Sequence, residues 1–193
     1  MKSIILIGGA KRSGKDFIGN LIENIISKKQ KTLKYAFAKP IKYIASTSLN
    51  VSEEQLDEFK NNNESITIGD KKLDITIRDF IALLGTQAIR YSDFFEDSIW
   101  ADIFIDIVNK NPEIDTFIVT DFRFKVEYEK IKSALNDSFR IITLKIENEE
   151  AELNAGTHQS ETELNDFQFD YYVDNNHKPD LKNPITNLLR GLI

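Results

Sequence analysis

The sequence predicts a three-layer α/β fold, with a parallel sheet covered by helices on both faces. Two observations predict it. Short β-branched runs alternate with helical patterns along the whole chain, and those runs are apolar throughout rather than alternating, as strands buried on both faces are. The length agrees: 193 residues, 41% hydrophobic and 29% charged, suit one domain with small lobes.

Ser3–Ile7 reads as the first strand, followed by a Gly-rich turn and a helix carrying Phe17, Ile18, Leu21, Ile22, Ile25 and Ile26 on its apolar positions. Leu33–Ala38 reads as a second strand, and Pro40 opens another helix. Asn50–Asp74 is polar and Asn-rich, a surface excursion outside the core with a small hairpin turning at Gly69-Asp70. Ile77, Phe80, Ile81, Leu84 and Ala88 recur as on one helix over Ile75–Tyr91, with Gly85 inside it, and Ser98–Val108 is a further helix. Thr116–Thr120 is a continuous apolar strand, Val126–Leu135 a helix, Ile141–Ile146 a strand, Asp170–Val173 a last short strand and Leu181–Leu192 a terminal helix.

Composition excludes several chemistries. Without Cys there is no disulfide, thiolate metal site or Cys nucleophile, and two His cannot build a His-rich metal cluster. A serine-hydrolase elbow is absent, and His177 lies in a polar turn. The net charge of −6 argues against a uniformly basic nucleic-acid-binding surface and against a nucleic-acid motor, while a local basic cleft stays open. No apolar run approaches the roughly 18 residues of a membrane span, and the N-terminal SIILI run is too short for a signal peptide. A cytoplasmic protein is expected, in the host cytoplasm if viral.

Gly9-Ala10-Lys11-Arg12-Ser13-Gly14-Lys15-Asp16 links the first strand to the first helix and matches G-x-x-x-x-G-K, with Asp where Ser or Thr is usual. Glycines let backbone N–H groups turn inward around phosphate oxygens, and the helix N-terminus adds positive potential. Lys15 then reaches the β- and γ-phosphates as a point charge. Asp16 either orients Mg²⁺ or its water, or favours the first helical turn electrostatically. At the end of the apolar strand stand Asp121 and Arg123, where ligands of open α/β sheets bind. Asp121 suits a Mg²⁺-bound water, and the Arg123 fork suits a phosphate.

GAKRSGKD, YAFAKPIK at 35–42, RDFIALLGTQAIR at 78–90 with Trp100 after it, IVTDFRFKVE at 118–127, HQSET at 158–162 and FDYYVDNN at 169–176 occur in order. With these motifs the chain resembles the phage-type deoxynucleoside monophosphate kinases of the adenylate-kinase-like phosphate-loop superfamily. The resemblance implies a five-stranded parallel core, an acceptor-binding lobe at about 40–100 and a lid-like segment at about 147–166, within one domain over 1–193. It implies phosphoryl transfer from ATP to a deoxynucleoside monophosphate with Mg²⁺. Lys15, Asp121 and Arg123 would be catalytic, and Asp16 and Asp121 would lie at the metal. ATP would be held by Gly9, Lys11, Arg12, Ser13, Gly14, Lys15 and Asp16, with Asn175 at its base. Lys42, Arg78, Arg90, Trp100 and Arg123 would hold the acceptor. A homodimer is compatible with the resemblance, and no nucleic acid or membrane partner is implied.

Glu147–Asp166 holds no Lys or Arg, so either charge neutralisation falls to Arg12, Arg78, Arg90 and Arg123 or catalysis is weak. Arg78 and Arg90 are about 120° out of register on a regular helix at roughly 100° per residue. Ser160 with Glu163 reads as a helix-capping box, and His158 as a hinge or a pH-sensitive group. Tyr35, Phe37, Tyr91, Phe94, Phe95 and Trp100 read mainly as core, with one or two near Arg90 able to sandwich a base. Two other functions share these features. One is a different small-molecule kinase, such as a nucleoside or dephospho-coenzyme A kinase; the other is a nucleotide-binding regulatory protein without transfer.

Overall fold

The computed structural model describes residues 2–176 and 181–190. His177 and Pro179, and the end of the terminal helix expected beyond residue 190, lie outside the described residues. The first strand, β1 (Lys2–Gly8), is buried from Ser3 onward, which its Ile-Ile-Leu-Ile run requires. After it come α1 (Lys15–Ile26), β2 (Thr32–Tyr35), α2 (Ala38–Leu49), α3 (Glu53–Asn61), β3 (Ser65–Ile68), β4 (Lys71–Thr76), α4 (Ile77–Ala82) and a π-helical stretch, Leu83–Arg90. Then follow α5 (Ile99–Lys110), β5 (Thr116–Val119), α6 (Lys125–Leu135), β6 (Phe139–Glu147), α7 (Glu149–Leu153), α8 (Gln159–Thr162), β7 (Tyr171–Asp174) and α9 (Lys182–Arg190).

Five strands form one parallel sheet in the order β2-β5-β1-β6-β7, so the expected three-layer α/β architecture is present. β1 is central: Leu6 stands opposite Val119 of β5 on one side and Thr143 of β6 on the other. Because all five strands run the same way, their carboxyl ends open on one edge. Ile5, Ile7, Ile142, Leu144 and Ile146 pack with Ile18, Ile22 and Ile26 of α1 and with Ile185 and Leu189 of α9. Phe117 meets Phe104 of α5 and Phe139 of β6 edge-on, with ring centroids 5.9 Å apart in both pairs. No described helix is long and apolar enough to cross a membrane.

The chain divides into two compact units: residues up to Ala36 with those from Ala101 onward, and Phe37–Trp100. The second unit corrects the reading of Asn50–Asp74 as a surface excursion. Its polar stretch contains α3, started by Ser52, whose side chain accepts from the Gln55 N–H while the Gln55 side chain accepts from the Ser52 N–H. This capping box lets a helix form where apolar periodicity is thin. Leu56 and Ile66 are buried with Ala45 and Ile77 in a core of their own. The β3–β4 hairpin does turn at Gly69-Asp70, as expected.

The helix expected over Ile75–Tyr91 begins at Ile77, where Thr76 caps it by accepting from the Asp79 N–H at 3.1 Å. From Leu83 it widens into the π-helical form. At Gly85 a Cβ would lie 2.6 Å from Ile41 Cδ1, so α2 approaches a bare backbone there. The Gly85 carbonyl also accepts from the Trp100 indole at 2.9 Å. A regular 100° per residue therefore does not carry from Arg78 to Arg90.

Candidate active site

The turn from β1 into α1 is set by backbone geometry that its sequence permits. Gly14 caps α1 at φ 95°, a left-handed conformation that costs glycine nothing, and an added Cβ there would meet Asn175 Nδ2 at 2.4 Å. Asn175, just past the end of β7, donates to the Ser13 carbonyl at 2.8 Å, and its own N–H donates to Glu147 O at 2.8 Å. The loop is thus held from across the sheet edge. Ser13 Oγ is buried without a hydrogen-bond partner, a polar atom that a ligand in the loop would satisfy.

Lys15 opens α1 and folds back over the loop, donating to Gly9 O at 2.8 Å and Ala10 O at 2.6 Å. Burial, and then the positive charge of Arg123, lower its pKa to about 8. Glu161, Asp16 and Asp121 act in the opposite direction, so all three carboxylates lie within electrostatic reach of the ammonium. Asp16 Oδ1 accepts from the Thr120 hydroxyl at 2.8 Å, which ties the first turn of α1 to the end of β5. Phe122 N donates to Ile7 O at 3.2 Å, carrying the strand-end segment alongside β1.

Arg123 is fixed twice. Its backbone N–H, like that of Phe124, donates to Glu127 Oε2 at 3.1 Å, and Glu127 is buried in the first turn of α6. Its guanidinium pairs with Glu161 and donates to Ser160 O at 3.2 Å. Glu161 also accepts from the Lys11 N–H of the loop at 2.9 Å. Burial works to raise the Glu161 carboxyl. Arg123, the Lys11 N–H and Lys15 overcome it and hold the group below the ordinary carboxylate value. The segment over 147–166 forms α7 and α8, joined to β6 by Lys145–Glu152 at 3.4 Å and to the start of α6 by Lys125–Asp166 at 2.6 Å.

The capping box expected of Ser160 and Glu163 is not formed. His158 caps α8, its Nδ1 accepting from the Ser160 N–H at 3.2 Å, and Glu163 accepts instead from Gln159 Nε2 at 3.2 Å. An imidazole nitrogen does here what a hydroxyl was expected to do. Glu127, Thr120 and Glu161 are the site residues that sequence reasoning missed. Glu127 carries a usable signal, an acidic side chain in a first helical turn three residues after Phe124. For Glu161 the signal was a lone acid within HQSET, which motif logic assigns to no partner.

The first unit therefore brings together the phosphate loop, Asp16, Asp121, Arg123 and Asn175. Lys42, Arg78, Arg90 and Trp100 belong to the second unit. There Lys42 pairs with Asp57 at 2.8 Å and Arg78 donates to Lys60 O at 3.0 Å. Buried Arg90 donates to Asp97 O at 2.8 Å, and Trp100 is buried against Gly85. Tyr35 and Phe37 are buried, as expected, but Tyr91, Phe94 and Phe95 are exposed, Phe94 by 90%. The Ser92–Glu96 stretch around them carries no helix or strand to fold them inward.

Residues 3–75 match the family model described as deoxynucleotide monophosphate kinase, which bears out the resemblance drawn from the motifs. Among solved structures, a putative kinase from Chloroflexus aurantiacus J-10-fl superposes with a TM-score of 0.53 at 12% identity, covering 99% of this chain and 96% of that one. The Mycobacterium tuberculosis APS kinase CysC in complex with AMPPNP and APS gives 0.51 at 7% identity, covering 99% and 97%. Likeness at these identities establishes the fold alone, the three-layer α/β architecture with a five-stranded parallel sheet. No curated protein matches the sequence at a significant level.

Proposed function

We propose that this chain, a phosphate-loop kinase related to the deoxynucleotide monophosphate kinases, transfers the γ-phosphate of ATP to a deoxynucleoside monophosphate. The observation that carries the reading is the convergence of Lys15, the Gly9–Gly14 loop and Arg123 at the carboxyl ends of β1 and β5. An oxygen of the acceptor's phosphate attacks the γ-phosphorus, and the bond to the bridging β-oxygen breaks to leave ADP. Such a reaction needs little covalent help from protein; it needs alignment and neutralisation of spread negative charge.

Each residue has a part suited to that need. The loop N–H groups and the start of α1 cradle the phosphates of ATP. Lys15 exchanges the carbonyls of Gly9 and Ala10 for phosphate oxygens, and Asn175 keeps the loop in shape. Arg123 offers a planar fork to the acceptor's phosphate or to the group in transit. Among the described residues no cluster of three or more His, Asp or Glu stands ready to hold a metal alone. Asp16 and Asp121 fit a Mg²⁺ that takes its other ligands from phosphate and water, the usual habit of that ion. When bound, Mg²⁺ would supply charge neutralisation at the phosphates.

The second unit, with Lys42, Arg78, Arg90 and Trp100, is the proposed carrier of the acceptor. A competing reading, nucleotide binding without transfer, is favoured by one observation: an acidic side chain, Glu161, stands on the loop. One experiment separates the two readings. ADP formation is followed with Mg²⁺-ATP and each deoxy- and ribonucleoside monophosphate in turn. Turnover that depends on a deoxynucleoside monophosphate is expected. ATP binding without turnover for any acceptor would leave the regulatory reading.

A further inference from the structure

Glu161 is held in an unusual place for a carboxylate. One oxygen accepts the Lys11 N–H, a donor of the phosphate loop, at 2.9 Å, and the other pairs with the Arg123 guanidinium. Its side chain is 10% exposed, although Glu161 belongs to a four-residue helix with no fully buried residue, in a segment largely exposed from residue 152 to 166. A loop N–H and a guanidinium fork are the donor set that a phosphoryl group takes in such proteins. The Lys15 ammonium acts on the same carboxylate electrostatically. A glutamate thus carries one negative charge into a position whose donors suit an anion.

We propose that Glu161 is an internal phosphate surrogate: its carboxylate occupies the anion position formed by the Lys11 N–H and Arg123, and a phosphoryl group binds there only by displacing it. The proposal rests on the reading of the loop as a nucleotide-phosphate site. Its consequence is specific. Glu161 competes with the ligand and keeps loop, Arg123 and α8 together until the ligand arrives. Displacement then releases α8 from two anchors at once, the Glu161 carboxylate and the bond from Arg123 to the Ser160 carbonyl. The charge balance favours exchange, because a phosphate brings more negative charge to Lys15 and Arg123 than one carboxylate does. An apparent affinity is reduced by the fraction of molecules in which the competitor is seated, so removing its charge should tighten binding.

The test compares wild type with Glu161→Gln, which keeps the shape and removes the charge, and with Glu161→Ala. Binding of Mg²⁺-ATP and of Mg²⁺-tripolyphosphate is measured by calorimetry, and melting temperature with and without each ligand. Tripolyphosphate isolates the phosphate contribution from the base. The expected result is binding tightened about five- to tenfold for both ligands in both variants. The ligand-free melting temperature should fall while the ligand-induced rise grows. If the wild type binds ATP and the variants bind equally or more weakly, the surrogate proposal is overturned, and Glu161 is then a structural residue or a partner of bound nucleotide. If neither the wild type nor the variants bind ATP or tripolyphosphate, the phosphate-site reading itself fails and the proposal falls with it.

Discussion

Asn175 Nδ2 donates to the Ser13 carbonyl at 2.8 Å, joining residues 162 positions apart and fixing the phosphate loop from the end of β7. The bond is neutral and half-shielded, so its loss is worth about 1 kcal/mol. Asn175→Ala should therefore raise the ATP dissociation constant about fivefold while leaving the acceptor's KM near wild type. Asn175→Asp should do worse, since it sets a carboxylate beside incoming phosphates. Equal ATP affinity in all three proteins would separate Asn175 from the nucleotide site.

Lys15 gives a pH signature. Its pKa of about 8 in the folded chain, against an ordinary 10.5, means the free protein loses this charge as pH rises through 8. ATP affinity should then fall above pH 8, approaching tenfold per unit until the pKa of the complex is reached. Stability runs the other way. Between about 8 and 10.5 the unfolded chain binds more protons at Lys15 than the folded one, so this group's contribution to stability rises with pH across that window. Calorimetric titration from pH 7 to 9.5, with Lys15→Met as reference, checks both signs.

Arg123→Lys is not a conservative change at a forked contact. The acceptor's KM should rise at least tenfold, the ATP KM should change less because a lost Arg123 contact and a weaker seating of Glu161 act on it in opposite directions, and kcat should fall if the contact tightens as the phosphoryl group moves. Glu161 complicates the picture usefully. The variant also weakens the Arg123–Glu161 pair, so the ligand-free melting temperature should drop as well. A melting-temperature loss with both KM values unchanged would make Arg123 a structural residue.

Asp121→Asn should raise the Mg²⁺ concentration needed for half-maximal turnover more than it changes acceptor affinity, because the amide keeps shape and loses the charge that organises a cation. A magnesium titration unchanged beside a weakened acceptor would move Asp121 to the acceptor site.

In the second unit, Gly85→Ala places a methyl 2.6 Å from Ile41 Cδ1 and should destabilise by about 1–3 kcal/mol. Chemical denaturation measures it directly. No change in midpoint would mean that the π-helical stretch relaxes freely against α2.

The five sheet strands and the loop were legible because their signals are local: apolar β-branched runs in β1, β5 and β6, short aliphatic and aromatic runs in β2 and β7, and glycines at fixed offsets from Lys15. β2 ends at Tyr35, earlier than expected, because Ala38 already starts α2 in a stretch with no turn signal between them. What the chain hides is long-range or dependent on geometry. The reach of Glu161 to Lys11 spans 150 positions, and nothing in HQSET announces it. The α3 helix was hidden by polarity, with Leu56 as its buried side chain and a capping box in place of an apolar stripe. The π-helical widening after Leu83 depends on Gly85 meeting Ile41 and on the Trp100 indole taking its carbonyl, both tertiary events.

The most direct measurement follows γ-labelled phosphate from Mg²⁺-ATP to a deoxynucleoside monophosphate, with wild type and Lys15→Ala side by side. Lys15 is helix-terminal and packs on loop carbonyls, so its removal deletes transition-state charge stabilisation without emptying the core. This role of Lys15 predicts labelled deoxynucleoside diphosphate with the wild type and at least about a 100-fold slower rate with the variant, at a folded state intact by circular dichroism. Transfer by Lys15→Ala at near wild-type rate, or no labelled diphosphate from any acceptor with the wild type, would contradict it.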